Sequence, residues 1–326
     1  MLDSFKRKID YLRFSVTDRC DLRCRYCMPQ KMKFTQKEDS LSVKEMKIIS
    51  NIFFDLGFKK IRITGGEPLI RKDILDFLSF LNLKLKSKLI SEISLTTNGT
   101  MLSKYAKQIH QNGIRRINVS LDSLIPEKYS FITNGGNLKK VLDGIFDVKK
   151  TGIKVKINTV LLKDFNEDEL IELVEWCSKN KFDISFIEVM PIGELGVKRK
   201  DQFVSIDKAK NTIEKKYFLN KIDYKTNGPS TYYLNNKLDC RIGFISPISN
   251  NFCESCNRVR VTSNGIMYGC LGHENSINLK TLILNEDLEL LKKKIKHTIY
   301  NKPKKHFFDI SRIDSDLERY MNLTGG

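Results

Sequence analysis

No stretch of the sequence reaches 18 consecutive apolar residues, so no transmembrane helix is expected. The opening residues Met1–Lys8 place no apolar run behind their charges, so a secretory leader is not expected either, and a cytoplasmic location is the default. Internal repeats and low-complexity tracts are missing, which argues against solenoids and disordered scaffolds. Negative charge is scarce: 39 Asp and Glu face 57 Lys and Arg, leaving a net charge of +18. Lysine supplies 42 of these cations and arginine 15, scattered along the whole chain. Such a balance fits a solvated lysine-rich surface. It equally fits a polyanionic partner, either a nucleic acid or a phosphorylated small molecule, and charge alone does not separate the two.

What is present is a core. Hydrophobic residues make up 40% of the chain and charged residues 29%, which is a globular composition. At roughly 150 residues per domain, the length suggests about two domains. The first two-thirds read as strands alternating with helices. Strands are expected at Tyr11–Thr17, Lys60–Thr64, Glu92–Thr97, Arg116–Leu121, Val155–Leu161 and Asp183–Val189. Between them lie helical patterns. Ser42-Val43-Lys44-Glu45 is a capping box, Asp73 opens a second helix, Ser103–Asn112 forms a third, Asn137 caps a fourth, and Glu167–Asn180 forms a fifth. Six strands with crossover helices imply a parallel sheet, either a partial barrel or a doubly wound open sheet, with ligands at the C-terminal strand ends.

After Pro191 the pattern changes. Gly193–Asp201 reads as a loop, followed by a helix from about Asp207 to Phe218. Beyond Asn227-Gly228-Pro229 short antiparallel strands are expected, with Val259–Ser263 and Ile266–Cys270 joined by an Asn264-Gly265 hairpin turn. The reading divides the chain into residues 4–220 and a smaller C-terminal domain, 221–326.

The cysteines cluster. Cys20, Cys24 and Cys27 stand at a C-x3-C-x2-C spacing directly after the first strand. Three thiolates in so short a loop suit an iron–sulfur cluster, which normally takes four cysteines, so one iron is left open for chemistry. A structural zinc site wants four closed ligands and fits less well. Cys253, Cys256 and Cys270 form a second set, C-x2-C-x13-C, which the hairpin folds together. With His273 this set also has an acceptable Cys3His zinc spacing, and both readings stay open. Cys177, beside Trp176, reads as a core residue, and Cys240 has no paired spacing. Arg258 and Arg260 fall on one face of the strand after Cys256, and arginine suits phosphate.

The first cysteine loop, with an aromatic before its last cysteine, resembles the radical S-adenosylmethionine (SAM) superfamily. Thr64-Gly65-Gly66-Glu67-Pro68 after the second strand resembles that superfamily's contact with the methionyl amino group. The resemblance implies a six-unit partial (β/α) barrel and a 4Fe–4S cluster on Cys20, Cys24 and Cys27. Its open iron is chelated by SAM, and one electron cleaves SAM to a 5′-deoxyadenosyl radical. It further implies SAM contacts from Tyr26, Gly66, Ser120 and Met190.

The second set followed by Asn257-Arg258-Val259-Arg260, the opening Leu12–Cys20 and the terminal Gly325-Gly326 resemble the GTP 3′,8-cyclase family of molybdenum cofactor biosynthesis, across essentially the whole chain. This resemblance implies an enzyme whose radical takes hydrogen from C3′ of GTP, after which C3′ joins C8 to give 3′,8-cyclo-7,8-dihydro-GTP. It implies a second 4Fe–4S cluster on Cys253, Cys256 and Cys270 at the purine, with no ligand role for His273. GTP contacts would come from Arg13, Arg62, Thr96, Lys156, Arg258 and Arg260, and the tail residues Gly325 and Gly326 would reach the active site. Ser185 stands where the family usually carries arginine. Expected partners are GTP, an electron donor, a downstream cyclic pyranopterin synthase and a second copy of the chain, with no membrane and no nucleic acid. Two alternatives compete. One is a peptide-modifying radical SAM maturase, which generally carries more auxiliary cysteines. The other is a basic zinc protein that binds nucleic acid, which explains neither the first cysteine loop nor Gly-Gly-Glu-Pro.

Overall fold

The computed structural model describes all residues except 194, 196, 197, 312–316, 318 and 326. Its centre is six parallel strands, each paired with the next: β1 (Tyr11–Ser15), β2 (Lys60–Thr64), β3 (Glu92–Thr97), β4 (Arg116–Ser120), β5 (Lys154–Leu161) and β6 (Asp183–Glu188). Helices α1 (Val43–Asp55), α2 (Ile74–Lys86), α3 (Leu102–Gln111), α4 (Pro126–Thr133), α5 (Leu138–Lys150) and α6 (Leu170–Lys179) fill the connections. Side chains alternate across the sheet with period two. Leu12 and Phe14 of β1 enter the buried apolar core, and the Phe14 ring lies 5.7 Å from that of Phe77 on α2. Arg13, between them, is left to the opposite face. This architecture is the expected partial barrel.

Local signals were obeyed. Ser42 accepts from the Glu45 amide at 3.3 Å while the Glu45 carboxylate takes the Ser42 amide at 2.7 Å, which closes the capping box. Asn137 accepts from the Lys140 amide at the start of α5. Helix α4 was not expected, and neither was α7 (Arg199–Gln202) inside the supposed loop. The helix expected over Asp207–Phe218 is α8 (Ile206–Glu214), capped one residue earlier by Ser205.

The last third supplies β7 (Asn220–Ile222), β8 (Thr231–Leu234), β9 (Ile242–Ile245), β10 (Arg258–Val261), β11 (Ile266–Tyr268), β12 (Ser276–Asn278) and the helices α9 (Leu279–Leu284), α10 (Leu288–Tyr300) and α11 (Met321–Thr324). The expected hairpin forms, β10 running antiparallel to β11. Antiparallel pairing is only part of the arrangement, however. Strand β10 also lies parallel to β1, and β9 lies parallel to β6. One sheet of twelve strands results, with the order β12-β11-β10-β1-β2-β3-β4-β5-β6-β9-β8-β7. The physical reason is edge satisfaction. The outer backbone groups of β1 and β6 lie in a buried sheet and need hydrogen-bond partners, and the C-terminal segment provides them on both sides.

Candidate active site

The first cysteine loop leaves the sheet just after β1 and closes on itself, the Cys27 amide donating to the Cys24 carbonyl at 2.9 Å. Burial pushes the Cys20 and Cys27 thiols up to about 12 and Cys24 well above the usual thiol range. Thiolates in such a place need nearby positive charge, which iron ions supply. Donors to sulfur are already in place. The Leu22 amide and the Asn98 side-chain amide reach Cys20 Sγ at 3.4 and 3.5 Å, the kind of hydrogen bond that tunes iron–sulfur clusters. Among the described residues, no three Cys, His, Asp or Glu close around a single metal ion. The fit to a multi-iron group rests on the donor chemistry and on these surrounding N–H groups.

Of the four residues expected to touch SAM, Tyr26 lies in this loop and Gly66 packs against its approach, while Ser120 ends β4 and Met190, just past β6, lines the large cavity described below. Gly66 packs so tightly that a Cβ would collide with the Arg19 carbonyl, one residue before Cys20. The Gly-Gly turn therefore lets the cysteine loop approach β2 in the first place. Tyr26 donates its hydroxyl to Asp122 at 2.7 Å, two residues past Ser120 at the end of β4. Burial raises the Asp122 carboxyl to about 6, against the Tyr26 hydrogen bond. Arg199 donates to the carbonyls of Tyr26 and Ile192, the latter two residues past Met190.

All six expected GTP contacts line one cavity. The register explains how. Arg13 on β1 sits opposite Arg260 on β10 and Arg62 on β2, so three guanidinium-bearing positions form one row. Asn118 of β4 lies opposite Thr96 of β3 and Lys156 of β5. Burial lowers Lys156 well below the usual lysine range, with Arg62 and Arg116 adding repulsion. Burial and Arg258 bring Arg260 down to about 9. Thr96 Oγ1, Asn118 Oδ1, Asn158 Oδ1 and Arg258 Nε are buried at the cavity wall without a hydrogen-bond partner. Crowded cations beside unsatisfied polar atoms mark a place built for a polar anion. Ser185 bears no charge. Its hydroxyl lies 2.9 Å from Ser230 Oγ, which also receives the Lys156 ammonium.

Cys253, Cys256 and Cys270 line the same cavity. Burial pushes Cys256 up, but Lys302, Arg258, the Arg258 backbone and Arg7 overcome it and bring the thiol to about 7. At Cys256 the surrounding cations thus favour a thiolate ligand, whereas burial leaves the Cys253 thiol raised. His273 is occupied elsewhere: its Nε2 lies 2.9 Å from the Lys305 carbonyl and its ring 4.2 Å from that of Phe307. Cys177 and Cys240 are buried in the core, as expected for Cys177.

The C-terminal tail enters this cavity. The Arg260 guanidinium donates to the carbonyls of Thr324, at 3.1 Å, and Gly325, and Arg13 reaches Gly325 at 3.4 Å. A Cβ on Gly325 would collide with the Thr64 side chain. Asn322 donates to the Asp18 carbonyl at 2.8 Å, and its backbone hydrogen-bonds Cys27. Gly326 lies outside the described residues.

Sequence reasoning missed several residues here. Arg116, Asn118 and Asn158 line the cavity. They share faces with Ser120 and Lys156 at a spacing of two, a signal that strand alternation carried. Lys302, buried and donating to the Gly269 carbonyl, had no local signal. Glu67 was read only as part of a motif. In the structure it is fully buried and accepts from Leu69, Thr97 and Asn98, so it fixes the turn whose Asn98 meets Cys20.

Residues 14–177 match the family model of the Radical SAM superfamily, and residues 182–308 match that of Molybdenum Cofactor Synthesis C. Over 329 aligned residues the chain is 45% identical to a GTP 3′,8-cyclase of Brucella ovis, with 100% of this chain and 96% of the relative covered. It is 44% identical to that of Brucella abortus with the same coverage. Among solved structures, Streptococcus suis SuiB bound to S-adenosylmethionine is similar in fold, with a TM-score of 0.66 and 18% identity over 90% of this chain and 67% of that one.

Proposed function

Since the chain belongs to the GTP 3′,8-cyclase family within the radical SAM superfamily, we propose how its residues divide that family's reaction among themselves. The enzyme converts GTP to 3′,8-cyclo-7,8-dihydro-GTP, the first step of molybdenum cofactor biosynthesis, and uses SAM with an iron–sulfur cluster. Among the described residues no helix is long and apolar enough to cross a membrane.

Cys20, Cys24 and Cys27 hold the 4Fe–4S cluster, and Tyr26, Gly66, Ser120 and Met190 hold SAM against it. When bound, the cluster and SAM would supply one-electron radical chemistry to the ribose of GTP. Cys253, Cys256 and Cys270 hold a second 4Fe–4S cluster beside the purine. Arg13, Arg62, Lys156, Arg258 and Arg260 bind the triphosphate, and Thr96 offers its free hydroxyl to the nucleotide. Gly325 and Gly326 close the site as the tail. In this division residues 4–220 carry the radical chemistry and residues 221–326 the auxiliary cluster and much of the substrate site. An external one-electron donor feeds the first cluster, the product passes to a cyclic pyranopterin synthase, and two copies of the chain form the working enzyme.

The observation that carries this reading is the row Arg260–Arg13–Arg62, which faces the same cavity as Cys253, Cys256 and Cys270. Clustered buried cations favour an anionic ligand, and a triphosphate offers several charges at that reach. Anaerobic incubation with SAM, dithionite and GTP tests it. The expected products are 5′-deoxyadenosine and a cyclised nucleotide. Deoxyadenosine without any cyclised product, at full iron loading, would overturn the substrate assignment.

A further inference from the structure

Arg199 belongs to no part of the division above. It sits at the start of α7, is 5% exposed, and its Nε is buried without a hydrogen-bond partner. Its other nitrogens donate to neutral oxygens only: Gln202 Oε1 and the Tyr26 carbonyl, each at 2.9 Å, and the Ile192 carbonyl at 3.1 Å. Among the described residues no carboxylate pairs with it. A buried guanidinium ordinarily has one, because an unpaired buried charge is strongly unfavourable. The nearby acid, Asp122, is engaged by the Tyr26 hydroxyl and the Val160 amide.

The geometry points to the first cysteine loop as the missing anion. Arg199 grips the carbonyl of Tyr26, one residue before Cys27, so its charge is anchored to the backbone that presents the Cys27 thiol. We propose that Arg199 is a positioning residue that supplies fixed positive charge to the first cluster through Cys27 and so raises its reduction potential. One-electron reduction, by the external reductant, makes a thiolate-bound cluster more negative by one charge. A buried cation stabilises that reduced state more than the oxidised one. The Asn98 and Leu22 donors on Cys20 act in the same direction from the other side of the loop, but they are neutral. Arg23, inside the cysteine motif, donates to the Cys20 and Leu22 carbonyls on that side, and Arg199 is the cation that arrives from the segment after β6.

This inference rests on the reading that Cys20, Cys24 and Cys27 hold a cluster, and the test separates the two. The reconstituted full-length protein is titrated potentiometrically under anaerobic conditions, with reduced clusters read by electron paramagnetic resonance. A Cys24→Ala control identifies the signal of the first cluster as the one it lacks. Should Cys24→Ala keep every signal and full iron content, the cluster assignment fails. With the assignment standing, Arg199→Gln is expected to lower the midpoint potential of the first cluster and leave the second unchanged, while Arg199→Lys stays close to wild type. Equal potentials in Arg199→Gln and wild type would overturn the inference. Equal shifts in the Gln and Lys variants, or loss of the first cluster from both, would also overturn it, because the side chain would then act by shape rather than by charge.

Discussion

Arg260→Ala offers a direct measure of what the cation row does. Burial and the neighbouring Arg258 bring the Arg260 guanidinium down to about 9, well below the usual arginine range. That depression marks an unfavourable environment for the charge. The group stays protonated at neutral pH in both folded and unfolded chains, so the penalty falls on the folded, ligand-free protein throughout the neutral range. Arg260 is half-buried, and its accessible part faces the cavity, whose water softens the penalty. A triphosphate recovers most of it by giving the fork an anionic partner. Removing the side chain should therefore weaken GTP binding by about 2–5 kcal/mol, a loss of roughly thirty-fold to several thousand-fold in affinity. The same substitution should leave the ligand-free protein as stable as wild type or more so, since a strained charge is removed while, among the described residues, the hydrogen bonds lost are those to the Thr324 and Gly325 carbonyls. Anaerobic calorimetry with GTP and with guanosine measures the first effect, and thermal denaturation without ligand measures the second. Guanosine affinity should barely move. An unchanged GTP affinity, or an equal loss for guanosine, would refute the placement of the phosphates on this row.

Cys24→Ala should abolish SAM cleavage, whereas Cys270→Ala should retain uncoupled cleavage and lose GTP binding; cyclised product from the Cys270 variant counts against a second cluster at the purine. Deleting Gly325 and Gly326 should leave iron content and SAM binding intact but sharply reduce cyclised product per deoxyadenosine released, and an unchanged ratio and rate would show a dispensable tail. Glu67→Gln should lower stability by about 1–3 kcal/mol, because one amide replaces a carboxylate that three donors use. Burial raises Glu67 to about 7 from 4.5, so the folded chain keeps this proton longer than the unfolded chain does. Its contribution to stability therefore falls as pH rises from about 4.5 to 7, and the Gln variant should lose that slope in denaturant titrations.

Legibility followed the range of the interaction. The Ser42 capping box, the Asn137 cap and the Asn264-Gly265 turn are decided within four residues, and all formed. The cysteine spacings were equally local. Helix α10 carried a readable stripe, Leu291, Ile295 and Ile299, all fully buried, yet it was not anticipated. By contrast, nothing near Ile242 or Val259 announces that β9 will run parallel to β6 and β10 parallel to β1. Lys302 reaches the cavity only because the segment after α10 passes Gly269, and Arg199 reaches the cysteine loop from residues read as featureless. Long-range placement of single cations is set by topology, and a lone Lys or Arg in a lysine-rich chain carries no mark of it.

The pairing of β9 with β6 and of β10 with β1 also sets a schedule for synthesis. A nascent chain that has reached β6 has two bare parallel edges and nothing yet made to cover them. It must wait until residues 242–245 and then 258–261 have emerged before the sheet is sealed. Pairings separated by more than 240 residues, such as Leu12 with Val259, close slowly because the intervening loop entropy is lost before the contact forms. Until then the exposed edges are templates for association with other chains. Expression of residues 1–220 alone should accordingly give aggregated material, and full-length yield should respond to translation speed through the last third more than through the first.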